Sequence, residues 1–436
     1  MSNNKYSKSQ KLLISAEAII PLGSQTFSKS KVQYPLGNSP LFLKKGKKGH
    51  VWDIDGNRYV DLVCGLLPVI LGYCDPDVDT AIKNQLEKGI TFSLPSPLEA
   101  ELAERLVEII PSAEMVRFGK NGTDVTSAAI RLARAYTGRD HLIVLGYHGW
   151  QDWYIGSTTR NKGIPKVIRN LTHKLPYNDL GAVTATFDKY PDKIAAVIME
   201  PMSSVEPKDG YLKSLRDLTK KKGTILIFDE IITGFRYALG GAQQLFGITP
   251  DLSCFGKALG NGMPISAIVG RSDIMKEMEE VFISGTFGGE ALSLAAAIAV
   301  IEKMKREPVI DTLWSKGEFL ANEVTKLIEK KGLKGVMNLS GKPPWKIMNF
   351  FDHPNGKSAA IKTRYMIEMI KNGVLTIGTH NICYAHSDND MEMILRAYDA
   401  TLTSISEGLS GEVNIEENLD CPVVKPIFNV RESNRR

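Results

Sequence analysis

Long apolar runs are missing from these 436 residues. The longest candidate, residues 62–74, lies between Asp61 and Asp75 and is broken by Pro68 and Gly72. It falls short of the ~18 uninterrupted apolar residues that a membrane span requires. Near the N-terminus Lys5, Lys8 and Lys11 lead into residues 12–14, but Glu17 interrupts before a signal-like core develops. Cysteine is scarce as well. The five (Cys64, Cys74, Cys254, Cys383 and Cys421) are odd in number and form no CxxC pair, so the expectation is reduced, buried thiols in a cytoplasmic protein. A dominant charge sign is also lacking: 54 Lys and Arg against 49 Asp and Glu leave +5. So weak a field argues against a dedicated nucleic-acid or membrane-surface binder. There is no internal repeat and no low-complexity segment. With 43% hydrophobic and 24% charged residues the composition is that of a folded soluble chain. Its length suggests two or three domains at a ~150-residue average.

Three sections can be read along the chain. Residues 1–60 form an N-terminal segment, with a helix over 10–20 and a short hairpin of 40–44 and 50–53 around a basic turn, Lys44 to Gly49. Residues 61–305 alternate short apolar runs (115–118, 141–145, 195–199, 224–228, 252–255 and 265–269) with helical periods. Such β-branched, nearly all-apolar runs fit strands buried on both faces of a parallel sheet. Val125, Ala129, Leu132, Ala133 and Tyr136 make one stripe of a helix between them. The alternation predicts a large doubly wound α/β domain, in which ligands bind beyond the carboxyl ends of the strands. Residues 306–436 change to α+β and predict a smaller C-terminal domain. It has helices over 312–331 and from Asp388 to about 406, runs at 345–351, 374–377 and 381–385, and an irregular tail from Gly408. Ser387 suits the N-cap of the last helix.

Three features follow predicted strands. Residues 225–228 end in Asp229-Glu230, which puts a carboxylate at the ligand-binding rim, although a strand-end Asp also serves as a simple cap. Residues 252–255 are followed by Gly256-Lys257-Ala258, where a lysine amine can be partly desolvated and so attack a carbonyl to form a Schiff base. Phe118-Gly119-Lys120-Asn121-Gly122-Thr123-Asp124 reads as a strand, a turn and a helix start, and such a turn binds anions. Thr123 alternatively caps that helix. The turn fits neither the Walker pattern nor the GxGxxG dinucleotide fingerprint, so ATPase and NAD readings lose support. Together the three ask for one ligand with a phosphate, a carbonyl and a protonatable ring nitrogen. Pyridoxal 5'-phosphate (PLP) has all three: phosphate for the turn, aldehyde for Lys257, ring nitrogen for Asp229.

Long, ordered motifs now carry a resemblance over roughly residues 10–405. They are Val51-Trp52-Asp53-Ile54-Asp55-Gly56-Asn57-Arg58-Tyr59, Met115-Val116-Arg117-Phe118, the stretch Ala129 to Asp140, Tyr147-His148-Gly149, Asp229-Glu230-Ile231-Ile232-Thr233-Gly234-Phe235-Arg236 and the block around Lys257. The sequence resembles the class III, fold type I PLP-dependent aminotransferases, in the branch containing glutamate-1-semialdehyde 2,1-aminomutase. The resemblance implies that Lys257, Asp229 and Tyr147 are catalytic and that Tyr147 stacks on the cofactor ring with His148 beside it. It further implies that Asn121, Gly122 and Thr123 hold the phosphate, and that Glu200 and Ile231 lie near the cofactor. Thr286, in Ser284-Gly285-Thr286-Phe287-Gly288-Gly289, would reach the cofactor of a neighbouring subunit, so that a homodimer shares its active sites. Glutamate is the implied amino donor, with pyridoxamine phosphate formed in the half-reaction.

Residues 373–386 lack the carboxylate that related aminomutases carry near the active-site mouth. They offer His380 and Asn381 instead, which suit hydroxyls or a phosphate. Trp150 and Trp153 could wall a sugar ring. The expectation is therefore an aminotransferase acting on a keto or aldehyde group of a sugar-like or phosphorylated molecule, in surface-polysaccharide precursor synthesis. Aminomutase activity is the alternative. A catalytically silent scaffold is disfavoured because Lys257, Asp229 and Tyr147 are all present.

Overall fold

A computed structural model describes residues 5–411 and 414–425. These divide into two compact units. One comprises residues 5–66, 70–75 and those from 311 onward; the other comprises 67–69 and 76–310.

The first unit opens with the helix Ser7–Glu17, somewhat earlier than the sequence pattern suggests. Strands β1 (Leu43–Lys47), β2 (His50–Asp53) and β3 (Arg58–Asp61) then form an antiparallel meander. Here the expected basic turn is corrected. Lys44, Lys45 and Lys47 lie within β1, and only Lys48-Gly49 turns the chain. The Lys45 ammonium sits 5.0 Å from the centre of the Trp52 ring, a cation–π contact that keeps the lysine on the strand.

The second unit carries seven strands: β4 (Met115–Gly119), β5 (His141–Leu145), β6 (Thr172–Lys174), β7 (Ile194–Met199), β8 (Ile225–Asp229), β9 (Leu252–Phe255) and β10 (Ser266–Gly270). They form one sheet in the order β4-β10-β9-β8-β7-β5-β6. All pairings are parallel except those of β10, which runs against both neighbours. Every residue of β7 to β10 is buried, as expected for strands covered on both faces. The edge strand β4 is the exception, because Met115, Arg117 and their neighbours stay partly exposed. Edge strand β6 was not foreseen: Thr-His-Lys carries no apolar run. The helix Gly122–Thr137 packs its predicted stripe on the sheet, but the stripe ends at Ala133. Tyr136 stands on the surface, where its hydroxyl donates to Asp273.

The first unit resumes with the helix Val309–Lys330 and β11 (Met337–Ser340), β12 (Trp345–Phe350), β13 (Val374–Leu375) and β14 (Thr379–Asn381). β13 adds in parallel to β3, and β11-β12-β14 form a separate antiparallel sheet. Residues 382–385 leave the expected strand and turn. A helix at Ser358–Lys371 was not foreseen. Ser387 caps the helix Asp388–Ser410, accepting the Asp390 amide while Asp390 accepts the Ser387 amide. This helix outruns Gly408, and the tail beyond it is tied down: Ile415 donates to the Asn355 carbonyl and Val424 to the Thr363 hydroxyl. The remainder of the expected tail, residues 412–413 and 426–436, lies outside the described residues.

Among the described residues no helix is long and apolar enough to cross a membrane. None of the five cysteines forms a disulfide, but only Cys64, Cys254 and Cys383 are buried; Cys74 is exposed and Cys421 half-buried.

Candidate active site

Five strands of the second unit, β4, β5, β7, β8 and β9, point their carboxyl ends to the same edge of the sheet. Each delivers a predicted residue to one cavity of about 210 Å³. Asn121, Gly122 and Thr123 follow β4, Tyr147 and His148 follow β5, and Glu200 follows β7. Asp229 ends β8 with Ile231 just beyond it, and Lys257 stands two residues after β9. All of them line the cavity, together with Thr126, Gly149, Trp150 and Ile232.

Alternation along β8 separates the carboxylates of the Asp229-Glu230 pair. Asp229 faces the cavity, where its Oδ2 lies 2.8 Å from Nδ1 of His148 and its Oδ1 accepts the Ile231 amide at 3.1 Å. Glu230 turns the other way and is fully buried. It accepts the amides of Ala242 and Gln243 and the hydroxyl of Thr233, and burial pushes its carboxyl above the usual range. Glu230 anchors the scaffold, and Asp229 is left for chemistry. Burial, with Asp229 adding to it, also pushes the Cys254 thiol well up, so this cysteine is an inert part of the core.

Lys257 is held with φ of +42°, in the left-handed region that a non-glycine residue adopts only under constraint from its surroundings. Glu200, buried at the end of β7, accepts the backbone amide of Tyr147 at 3.1 Å. The Tyr147 ring meets Tyr154 edge-on, with centroids 5.6 Å apart.

Capping of the helix Gly122–Thr137 differs from the simplest sequence expectation. Asn121 is the N-cap, and Asp124 accepts the amides of Asn121 (2.7 Å) and Lys120 (3.1 Å). The Thr123 hydroxyl is therefore not spent on the cap: it is buried and has no hydrogen-bond partner. Gly149, at φ +105°, passes so close that a Cβ there would lie 2.5 Å from that hydroxyl. Nε2 of His148 is likewise buried without a partner. Buried polar atoms normally find partners, so an orphaned hydroxyl on a cavity at a helix N-terminus marks a place for an anionic, hydrogen-bonding ligand. The residues present fit PLP: an amine for its aldehyde, a carboxylate for its ring nitrogen, and a hydroxyl with first-turn amides for its phosphate.

Four predicted residues lie elsewhere. Thr286 is exposed and lines a separate cavity of about 710 Å³ with Lys120, Asp124 and Phe287. Trp153 is a core residue: it is only 8% exposed and its Nε1 donates to the Ser127 hydroxyl at 2.9 Å, so it offers no wall to a substrate. His380 and Asn381, on β14 in the first unit, are also buried. His380 Nε2 is 2.5 Å from the Tyr398 hydroxyl, and the Asn381 amide donates to the Val63 carbonyl at 2.8 Å. Each also keeps a buried atom without a hydrogen-bond partner, His380 Nδ1 and Asn381 Oδ1, and neither lines the cavity of the second unit. The His148–Asp229 pairing was not foreseen; the only signal for it was a histidine directly after the cavity tyrosine.

The comparisons with known proteins agree with this geometry. The family profile described as "Aminotransferase class-III" matches residues 33–387. The chain is 36% identical over 415 residues to a 3-aminobutyryl-CoA aminotransferase of Cloacimonas acidaminovorans, covering 93% of this chain and 99% of that protein. It is 39% identical over 355 residues to a glutamate-1-semialdehyde 2,1-aminomutase of Natranaerobius thermophilus, covering 77% and 82%. The FumI protein of Sphingopyxis sp. MTA144, solved with PLP, superposes with a TM-score of 0.87 at 28% identity, over 95% of this chain and 100% of that one. An omega-transaminase from Sphaerobacter thermophilus superposes with a TM-score of 0.83 at 25% identity, over 91% and 97%. A matched profile over most of the chain and relatives along nearly its full length leave one placement: the chain belongs to the class III aminotransferases, enzymes of fold type I that work with pyridoxal phosphate.

Proposed function

We propose that this protein is an intermolecular aminotransferase that takes an amino group from glutamate and delivers it to the carbonyl of a small keto or aldehyde substrate. The observation that carries the reading is the convergence of Lys257 and Asp229 on one cavity with the orphaned Thr123 hydroxyl. When bound, PLP supplies an aldehyde that exchanges with amines and a ring that acts as an electron sink. Lys257 would take the proton from the donor's α-carbon as a base and, as an acid, deliver it to the carbon that carries the cofactor's aldehyde. Asp229 holds a proton at the ring nitrogen, and His148 fixes the direction in which that carboxylate points. Tyr147 would cover one face of the ring, and Glu200 positions Tyr147 by accepting its backbone amide. Asn121, Gly122 and Thr123 bind the phosphate.

For the acceptor, Trp150 supports a sugar-like or phosphorylated molecule, as it lines the cavity and is 66% exposed. A β-keto acyl group has better support, because the 3-aminobutyryl-CoA aminotransferase is matched over 99% of its length. Intramolecular transfer is the second reading, favoured by the 39% identity to an aminomutase. We further infer a cytoplasmic homodimer: Thr286 stands exposed and away from the cavity of its own chain, which supports a role in a second copy.

The test is the absorption spectrum of the purified holoenzyme while L-glutamate is added, with 2-oxoglutarate assayed alongside. About one 2-oxoglutarate per site is expected, together with loss of the cofactor's visible band. A band that ignores glutamate overturns the donor assignment. A 3-oxoacyl thioester, a keto-sugar nucleotide and glutamate-1-semialdehyde then separate the acceptor readings.

A further inference from the structure

The positive charge of the chain is concentrated at one end. Residues 1–60 hold ten Lys and Arg against three Asp and Glu, which exceeds the net +5 of the whole protein. Half of those ten cations are exposed on the meander of the first unit: Lys44, Lys45, Lys47 and Lys48 in and just after β1, and Arg58 in β3. β1 is an edge strand, and lysines on an edge discourage pairing with a second sheet. That explanation does not reach Arg58, which lies two strands further in.

The register brings these cations together. Lys45 stands opposite Trp52, and Trp52 opposite Arg58, so the three make one row across β1, β2 and β3. Residues two apart on a strand share a face, which adds Lys47 and His50. The Lys45 ammonium lies 5.0 Å and the Arg58 guanidinium carbon 5.7 Å from the centre of the Trp52 ring. The two charges are therefore no more than 5.0 plus 5.7, or 10.7 Å, apart. His50 fixes the guanidinium: arginine can only donate, so Nε2 of His50 accepts from Arg58 at 2.8 Å.

The nearby carboxylates have other tasks. Asp390 has one oxygen 3.0 Å from the same His50 nitrogen and uses the other to cap its own helix. Asp53 accepts the Asn57 amide and the Tyr59 hydroxyl, and Asp55 accepts the amides of Lys8 and Ser9. Among the described residues Lys45, Lys47 and Arg58 have no ion-pair partner. Like charges gathered at one aromatic ring without a counter-ion favour an anion between them.

We propose that Lys45, Lys47 and Arg58, set around Trp52, bind a small molecule through its diphosphate group. Charge-assisted hydrogen bonds of ~2.8 Å at each end leave a gap of roughly 5 Å or less between Lys45 and Arg58, the width of a compact anion. Convergence on one ring suits such an anion better than a nucleic acid or a lipid surface, which calls for an extended track of charge. Arg58 offers one phosphate two parallel N–H groups, and the lysines serve the other as point charges. Three cations match a diphosphate better than a single phosphate. Free nucleotides carry such a group, and so do carrier-linked acyl or sugar substrates. The site needs no part of the aminotransferase reading.

The test is calorimetric titration of the purified holoenzyme, its pyridoxal phosphate site already filled, in phosphate-free buffer of low ionic strength. The probes are inorganic pyrophosphate, ADP and uncharged adenosine. Saturable binding of pyrophosphate and ADP at a single site per chain is expected, weakening as salt is added because exposed charges are screened. Equal affinities place recognition in the diphosphate alone; a tighter ADP adds a contact to the nucleoside. Arg58→Ala and Lys45→Ala should each weaken binding roughly tenfold or more, the worth of a hydrogen bond to a charged group. Lys220→Ala, at an exposed lysine of the second unit, should leave it unchanged. Melting curves confirm that the variants are folded, and Lys45, exposed on an edge strand, is the safer of the two. Several results overturn the proposal: wild-type protein that ignores pyrophosphate and ADP, adenosine binding as tightly as ADP, affinity unmoved by both variants, or binding only to nucleic acid or to vesicles of anionic lipid.

Discussion

Nδ1 of His148 and Oδ2 of Asp229 stand 2.8 Å apart, and both side chains are almost completely buried. A carboxylate in such a place keeps its direction only while its partner remains. Asp229→Asn should lower kcat by ~10²–10³, the range found when one preorganised electrostatic group is removed from an active site. His148→Gln should cost less than Asp229→Asn and change the cofactor's visible spectrum in the same sense, because it acts through the carboxylate. Steady-state rates and spectra of the two variants check this; a His148→Gln enzyme with wild-type rate and spectrum would remove the positioning role.

Lys257→Ala should lower turnover by more than about a thousandfold, since both the amine that holds the aldehyde and the base that moves the proton disappear together. The variant is expected to bind the cofactor still, through the Asn121–Thr123 turn. Turnover is measured as 2-oxoglutarate released from glutamate.

Thr123→Val preserves shape and removes only the hydroxyl. That hydroxyl has no internal partner, so the melting temperature of the apoprotein should stay the same while the PLP dissociation constant rises roughly ten- to a hundredfold, the worth of a hydrogen bond to a charged group. Gly149→Ala should differ, losing both affinity and stability, because its φ of +105° and its contact with Thr123 leave no room for a methyl group. Melting curves and cofactor titrations separate the two patterns.

Burial holds the His380 imidazole down at about 3, with Lys346 adding to the depression. The unfolded chain takes up that proton near ~6.5. Between roughly pH 6.5 and 3 the unfolded state therefore binds more protons, and stability falls as the pH falls. The contribution to the slope reaches ~1.4 kcal/mol per pH unit. Urea unfolding at pH 7, 6 and 5 should show a shallower pH dependence for His380→Asn than for the wild type.

The central strands could be read from the chain because burial on both faces leaves only apolar residues, as in Ile225–Asp229 and Leu252–Phe255. Edge strand β6 has Thr-His-Lys, and an edge makes no such demand. The site residues were legible for a related reason: strand ends in a parallel sheet converge, so an Asp, a Lys and an anion-binding turn at those ends must meet. Trp153 was misread because a short spacing along the chain does not say which way a side chain faces. The helix Asp152–Ile155 turns Trp153 into the core while Trp150 remains outside.

Asp124, by capping its own helix, has a consequence for how the cofactor arrives. The helix start is complete before any ligand is present, so the phosphate meets a receptor that already has its final form. Little ordering entropy is then lost on association, and the apoprotein resembles a lock already cut. Its Lys120, Asn121 and Asp124 amides, each hydrogen-bonded within that start, would exchange with solvent more slowly than the first-turn amides left for the phosphate.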